Sequence, residues 1–127
     1  MAQKPGIFPT FFISGFECST FLWKDQGRRN LTCETQHHQF AREDYQMLRT
    51  LGIAVAREGI PWPLVDKAGI YDFSGIDVFL AAMAEAQIMP IWDLCHYGYP
   101  ENLDPFSEEF TQRFAAYCRA AAAYVTA

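Results

Sequence analysis

Apolar and polar positions along the chain fall into three repeats, each a short apolar run followed by an amphipathic one. Residues 10–15, 53–58 and 89–95 are β-rich or continuously apolar runs of strand length. Residues 40–51 put Tyr45, Leu48 and Leu51 on one helical stripe, with Arg42, Glu43, Gln46 and Arg49 off it. Gly52 then supplies a C-terminal stop. Ser74 and Asp77 read as a capping box for a second helix ending near Ala86, whose stripe is Ile76, Phe79, Leu80, Met83 and Gln87. Ser107 caps a third, Glu108 and Glu109 complement its dipole, and Phe110, Phe114, Tyr117, Ala121 and Tyr124 form its apolar stripe. Strand and helix alternate, which predicts an α/β chain with three parallel strands in the order 1-2-3 and right-handed crossovers. Two stretches lack periodicity. Residues 16–38 and 59–72 read as loops, and the first has a length usually kept for function.

The stretch 88–101, IMPIWDLCHYGYPE, concentrates the candidate chemistry. It enters at Pro90, continues through Ile91, Trp92 and Leu94 as a strand buried on both faces, and then turns polar and aromatic at Asp93, His96, Tyr97, Tyr99 and Glu101. Aromatic faces stack on the C–H face of a pyranose, imidazole and carboxylate groups bind its hydroxyls, and α/β folds gather such groups at strand C-terminal ends. A small carbohydrate is the ligand this pattern fits. At the end of the second strand, Arg57 and Glu58 face opposite ways and therefore need different partners.

Length and composition narrow the picture further. At 127 residues the chain suits one domain, half of it hydrophobic, and a net charge of −5 without basic clusters argues against nucleic acid or an anionic membrane as partner. Residues 8–15 are too short and interrupted for a signal peptide, so a cytoplasmic chain is expected. Cys18, Cys33, Cys95 and Cys118 show no CxxC spacing and read as reduced thiols. A zinc site from His37, His38, Cys95 and His96 lacks the usual ligand spacing, so neither a metal nor a cofactor is expected. The Asn30-Leu31-Thr32 sequon has no consequence without secretion.

With these residues in view, the chain resembles the family 1 glycoside hydrolases, the β-glucosidase group, and more broadly the retaining clan built on the same barrel. PIWDLCHYGYP aligns without gaps on that family's PFVTLYHWDLP segment, which sets His96 on its glycone-binding histidine and Tyr97 on its tryptophan. His37 and Arg42-Glu43-Asp44 match HYHRYKED, and Arg57 and Trp62 match the arginine and tryptophan of YRFSISW. GIYDFSGIDVFL looks more like the corresponding segment of the related β-galactosidases. Where the family's first strand ends in a sugar-binding glutamine this chain has Leu22, with Glu17 the nearby polar substitute.

The resemblance implies the first three β/α units of a TIM (β/α)8 barrel, with residues 1–127 a partial barrel domain truncated after the third helix. It implies a retaining glycosidase acting on a β-linked sugar, whose two catalytic carboxylates follow strands four and seven, so none lies in this chain. Its substrate-binding residues would be His96, Arg57, Trp62, Tyr97 and Glu17, with Arg57 orienting the nucleophile. A carbohydrate-binding chain without catalysis, or an α/β piece without a ligand, are the other readings. Expressed alone, a barrel piece with two open sheet edges is expected to self-associate and to show no turnover.

Overall fold

The computed structural model describes residues 6–127. In chain order its elements are β1 (Ser14–Gly15), β2 (Thr20–Leu22), β3 (Arg28–Asn30), α1 (Leu31–Glu34), α2 (His37–Thr50) and β4 (Val55–Gly59). There follow α3 (Trp62–Val65), β5 (Asp66–Lys67), β6 (Ile70–Tyr71), α4 (Asp77–Ala86), β7 (Met89–Asp93) and α5 (Glu108–Val125). The main sheet is β1-β4-β7, parallel throughout. Its register sets Gly15 opposite Arg57 and Gly59 opposite Asp93, so the three strands end side by side at one edge.

The parallel sheet agrees with the sequence pattern; the simple order 1-2-3 does not describe the whole chain. Both stretches read as loops carry antiparallel hairpins, β2 with β3 and β5 with β6, and short helices α1 and α3. Strands of two or three residues and helices of four are too short to leave a periodic trace. The first strand is also shorter than residues 10–15. Thr10 Oγ1 accepts the Ala54 N–H (3.1 Å), so a side chain takes the place of a ladder bond there, and Phe11 and Phe12 stand exposed.

Strand β7 is not buried on both faces. Met89 is exposed and Pro90 to Asp93 are half-buried, because among the described residues β7 pairs with β4 alone and forms a sheet edge, where proline's missing N–H costs no ladder bond. Helix α4 begins at Asp77, not Ser74. The Asp72 carboxylate accepts the Ser74 N–H and hydroxyl (3.0 and 2.7 Å), which tightens Ser74–Ile76 into a 3-10 turn instead of a capping box. Helix α2 starts three residues early, at His37, with a kink at Phe40. The Ser107 cap is present: its Oγ accepts the Phe110 N–H at 3.1 Å.

The core lies between the sheet and helices α2, α4 and α5. Tyr45, Val55, Ile60, Trp62, Ile76 and Tyr117 are its largest fully buried apolar residues. Trp62 stacks on Tyr117 with centroids 5.4 Å apart, and its Nε1–H donates to Asp66 Oδ2 (3.0 Å), which also accepts from Arg113 (2.8 Å). Tyr117 donates to the Ile60 carbonyl (2.9 Å), tying α5 to the chain just beyond β4. An indole so enclosed and hydrogen-bonded contributes on the order of 3–5 kcal/mol relative to alanine.

Candidate functional site

Where the strands end together, polar groups from separate segments meet. Glu17 and Cys18 come from the turn after β1, Arg57 from β4, Asp93 from the last position of β7, and His96 from the loop beyond it. His96 Nδ1 lies 3.3 Å from Cys18 Sγ and 3.7 Å from Glu17 Oε1. Arg57 Nη1 stands 3.9 Å from Asp93 Oδ2, and Asp93 Oδ1 accepts the Cys95 N–H at 3.2 Å. Arg57 Nε is buried without a hydrogen-bond partner among the described residues, a donor left unspent.

Two glycines make this convergence possible. A Cβ on Gly59 would fall 2.5 Å from Cys18 Cβ, so only glycine lets the turn after β1 lie across the end of β4. A Cβ on Gly98 would fall 1.8 Å from the Thr20 carbonyl oxygen. The loop after β7 therefore rests on the β2/β3 hairpin, where Thr20 N–H donates to the His96 carbonyl (3.3 Å) and Arg28 Nη2 to the Tyr99 carbonyl (3.1 Å). Arg28 also faces Glu101 at 3.5 Å. Phe21, Leu22, Arg28, Tyr97, Tyr99 and Glu101 line a cleft of about 530 Å³ beside His96, within the size range of small-molecule sites.

Charge is unevenly spread across the cluster. Hydrogen bonds from Ser19, together with His96 and Arg57, hold the Glu17 carboxyl below the usual carboxylate range against the opposing effect of burial. Burial, reinforced by Glu58 and Asp93, pushes the Cys18 thiol up to about 12. Cys18 is therefore a protonated thiol at neutral pH, and its Sγ faces His96 Nδ1.

Of the residues singled out in the sequence, His96, Glu17 and Arg57 come together here. Tyr97 adjoins them, its ring 4.9 Å from that of His96, largely exposed and in the left-handed region (φ 61°). Trp62 does not join them. It is fully enclosed beneath α5, where no ligand can reach it in this structure. The zinc set weighed in the sequence is not assembled either: Cys95 Sγ faces the Gly98 carbonyl, and His37 lies in the core. Cys18 was missed as a member, because nothing in the sequence ties it to a histidine 78 positions away.

A second acid–histidine cluster lies in the core. His37 directs Nδ1 to Asp44 Oδ2 (2.6 Å) and Nε2 to Glu58 Oε2 (2.9 Å), with Phe16 and Phe79 stacked on its faces. Tyr45 donates to the same Glu58 oxygen at 2.6 Å, and the Gly59 N–H reaches the other (3.1 Å). Burial works to lower the His37 pKa, but the hydrogen bonds to Glu58 and Asp44 and their charges outweigh it and raise the value. Arg57 and Glu58 thus do have different partners, one at the open edge and one inside.

No protein-family model matches the chain, and no curated protein matches it. Solved structures do, two glycoside hydrolases among them. One is the psychrophilic β-glucosidase BglU from Micrococcus antarcticus, 26% identical over 66% of this chain and 20% of that one, with a TM-score of 0.57. Another is the exo-β-1,4-mannosidase Op5Man5 from the Opitutaceae bacterium strain TAV5, 18% identical over 86% of this chain and 21% of that one, with a TM-score of 0.64. The second is a likeness of fold. The chain spans about a fifth of the length of each. Among the described residues, no helix is long and apolar enough to cross a membrane.

Proposed function

We propose that this chain forms the first three β/α units of a (β/α)8 glycoside hydrolase of the retaining β-glucosidase type, and carries the sugar-binding floor without the catalytic carboxylates. The observation that carries this reading is the meeting of His96, Glu17, Asp93 and Arg57 at the common edge of three parallel strands, in a fold shared with glycosidases. His96 hydrogen-bonds a sugar hydroxyl, Glu17 takes the place of the missing glutamine, and Tyr97 offers a ring face. Arg57, with its unspent Nε–H, orients a nucleophile from a later strand by a charge-assisted hydrogen bond. Trp62 supports this floor from below rather than walling it.

A retaining mechanism needs an acid and a nucleophile about 5 Å apart. Glu58, one of the carboxylates at the strand ends, is committed to His37 and Tyr45 and has no exposed surface, which removes it from candidacy. The same fact favours the second reading, a carbohydrate-binding chain without catalysis, for the 127 residues by themselves. The open edges of β1 and β7 and exposed Phe11, Phe12 and Phe106 lead to self-association of the isolated chain. Sedimentation showing a single monomeric species would count against the barrel-piece reading.

The test of the sugar floor is ligand-observed NMR with methyl β-glucoside and methyl β-mannoside, alongside an assay with an aryl β-glycoside. Saturation transfer that disappears in His96→Ala, without turnover, is the expected result. No transfer to either glycoside removes the sugar-binding reading, and enzyme-like hydrolysis removes the claim that the catalytic carboxylates lie elsewhere.

A further inference from the structure

Three donor atoms from three segments surround one point at the open edge of the sheet. Cys18 Sγ, a carboxylate oxygen of Asp93 and a ring nitrogen of His96 all lie within 4.8 Å of one another. Tetrahedral zinc, with bonds of about 2.0–2.3 Å, spaces its ligand atoms roughly 3.3–3.8 Å apart. Sγ and His96 Nδ1 are already 3.3 Å apart, and Glu17 Oε1 is 3.7 Å from the same nitrogen. We propose that Cys18, His96 and Asp93 form a binding site for a divalent transition-metal ion of the zinc type, with the fourth position open on the side of Glu17.

The same cysteine–histidine contact could be taken for a nucleophile and its base, and the surroundings decide between the two. A nucleophilic thiolate needs access and positive neighbours. Cys18 is 3% exposed, and Glu17, Glu58 and Asp93 all act on it with negative charge. Those carboxylates oppose a bare thiolate and attract a dication, which can then displace the thiol proton to solvent. Arg57 is the cation facing the cluster, and at 3.9 Å from Asp93 Oδ2 it is too far for a hydrogen bond that would occupy that oxygen. A mixed sulfur, nitrogen and oxygen donor set suits zinc or cobalt, not magnesium or calcium.

The donors are also held from behind. Asp93 Oδ1 accepts the Cys95 N–H, the His96 carbonyl accepts from Thr20, and Cys18 packs directly on Gly59. Ligation through Nδ1 leaves His96 Nε2 free for a sugar hydroxyl, so this site neither rests on the sugar-binding reading nor excludes it.

The test is a titration of the reduced 127-residue chain with Co²⁺ in the absence of sugar, read by electronic absorption. A thiolate-to-cobalt charge-transfer band and intense d–d bands should rise to one equivalent and be abolished by excess Zn²⁺. The charge-transfer band should be lost in Cys18→Ser and kept in Cys33→Ser, and the dissociation constant should weaken at least tenfold in His96→Ala. X-ray absorption of the Zn²⁺-loaded wild type needs no variant to fold and should show one sulfur at about 2.3 Å among nitrogen and oxygen neighbours. A first shell without sulfur, a charge-transfer band that survives Cys18→Ser, or no band at stoichiometric Co²⁺ overturns the proposal.

Discussion

His37 and His96 sit in neighbouring clusters of similar composition and opposite character. Around His37 the buried polar atoms are spoken for: both ring nitrogens face carboxylates, both Glu58 oxygens accept hydrogen bonds, and two aromatic rings seal the faces. Around His96 the groups are close but unsaturated, with contacts of 3.3 to 3.9 Å, an exposed tyrosine and an arginine nitrogen without a partner among the described residues. A saturated buried network can hold two elements together and little else. An unsaturated one at an open edge has capacity left for a ligand. The difference separates structure from function better than residue type does, since both clusters contain a histidine and carboxylates.

The sharpest way to break this comparison is to remove Glu58. Its loss leaves the His37 imidazole and the Tyr45 phenol facing a buried void, and removing one partner of a buried pair costs about 3–5 kcal/mol. Glu58→Ala should therefore lower the urea midpoint by most of the chain's stability, while Glu58→Gln, which keeps an acceptor, costs less. An Ala variant that unfolds at the wild-type midpoint would show that the network carries no structural load.

Acidity probes the same network more gently. The raised His37 pKa means that the folded state holds the proton more tightly than the unfolded one. The stabilisation is complete below the ordinary histidine value of 6.5 and is lost as pH rises through the folded value. Unfolding free energy should decline as pH is raised from about 6, and that decline should flatten in His37→Gln. A wild type whose stability rises over that window contradicts the raised His37 pKa.

Much of the architecture was legible because it rests on period. The second and third strands, the three long helices and the Ser107 cap follow from spacing and from capping chemistry that acts within a few residues. The hairpins, the shortened first strand and the 3-10 turn at Ser74 were not, because each is decided by a contact that sequence spacing does not encode. Thr10 reaching Ala54 and Asp72 capturing Ser74 are examples. The candidate site divides in the same way. His96, Arg57 and Glu17 were singled out from motif and strand-end position, whereas Cys18 enters only through the fit of its turn over Gly59. Trp62 shows the reverse: the resemblance set it among the substrate-binding residues, but its partners Tyr117 and Asp66 place it in the core.

The smallest expected effect on stability is the most informative for function. His96 is 18% exposed at its side chain and packs against Tyr97 and Cys18 rather than within the core, and its backbone is already held by Thr20. Truncating it removes weak contacts at an open edge, so His96→Ala should shift unfolding free energy by no more than about 1 kcal/mol. If the unsaturated cluster exists for a ligand, the same variant should lose whatever shift in melting temperature a glycoside or Zn²⁺ gives the wild type, since ligand stabilisation depends on affinity for the folded state. A small stability cost with the ligand response gone keeps the two clusters distinct. A cost as large as that of Glu58→Ala would place His96 among the structural residues, and the contrast between the two histidines would fail.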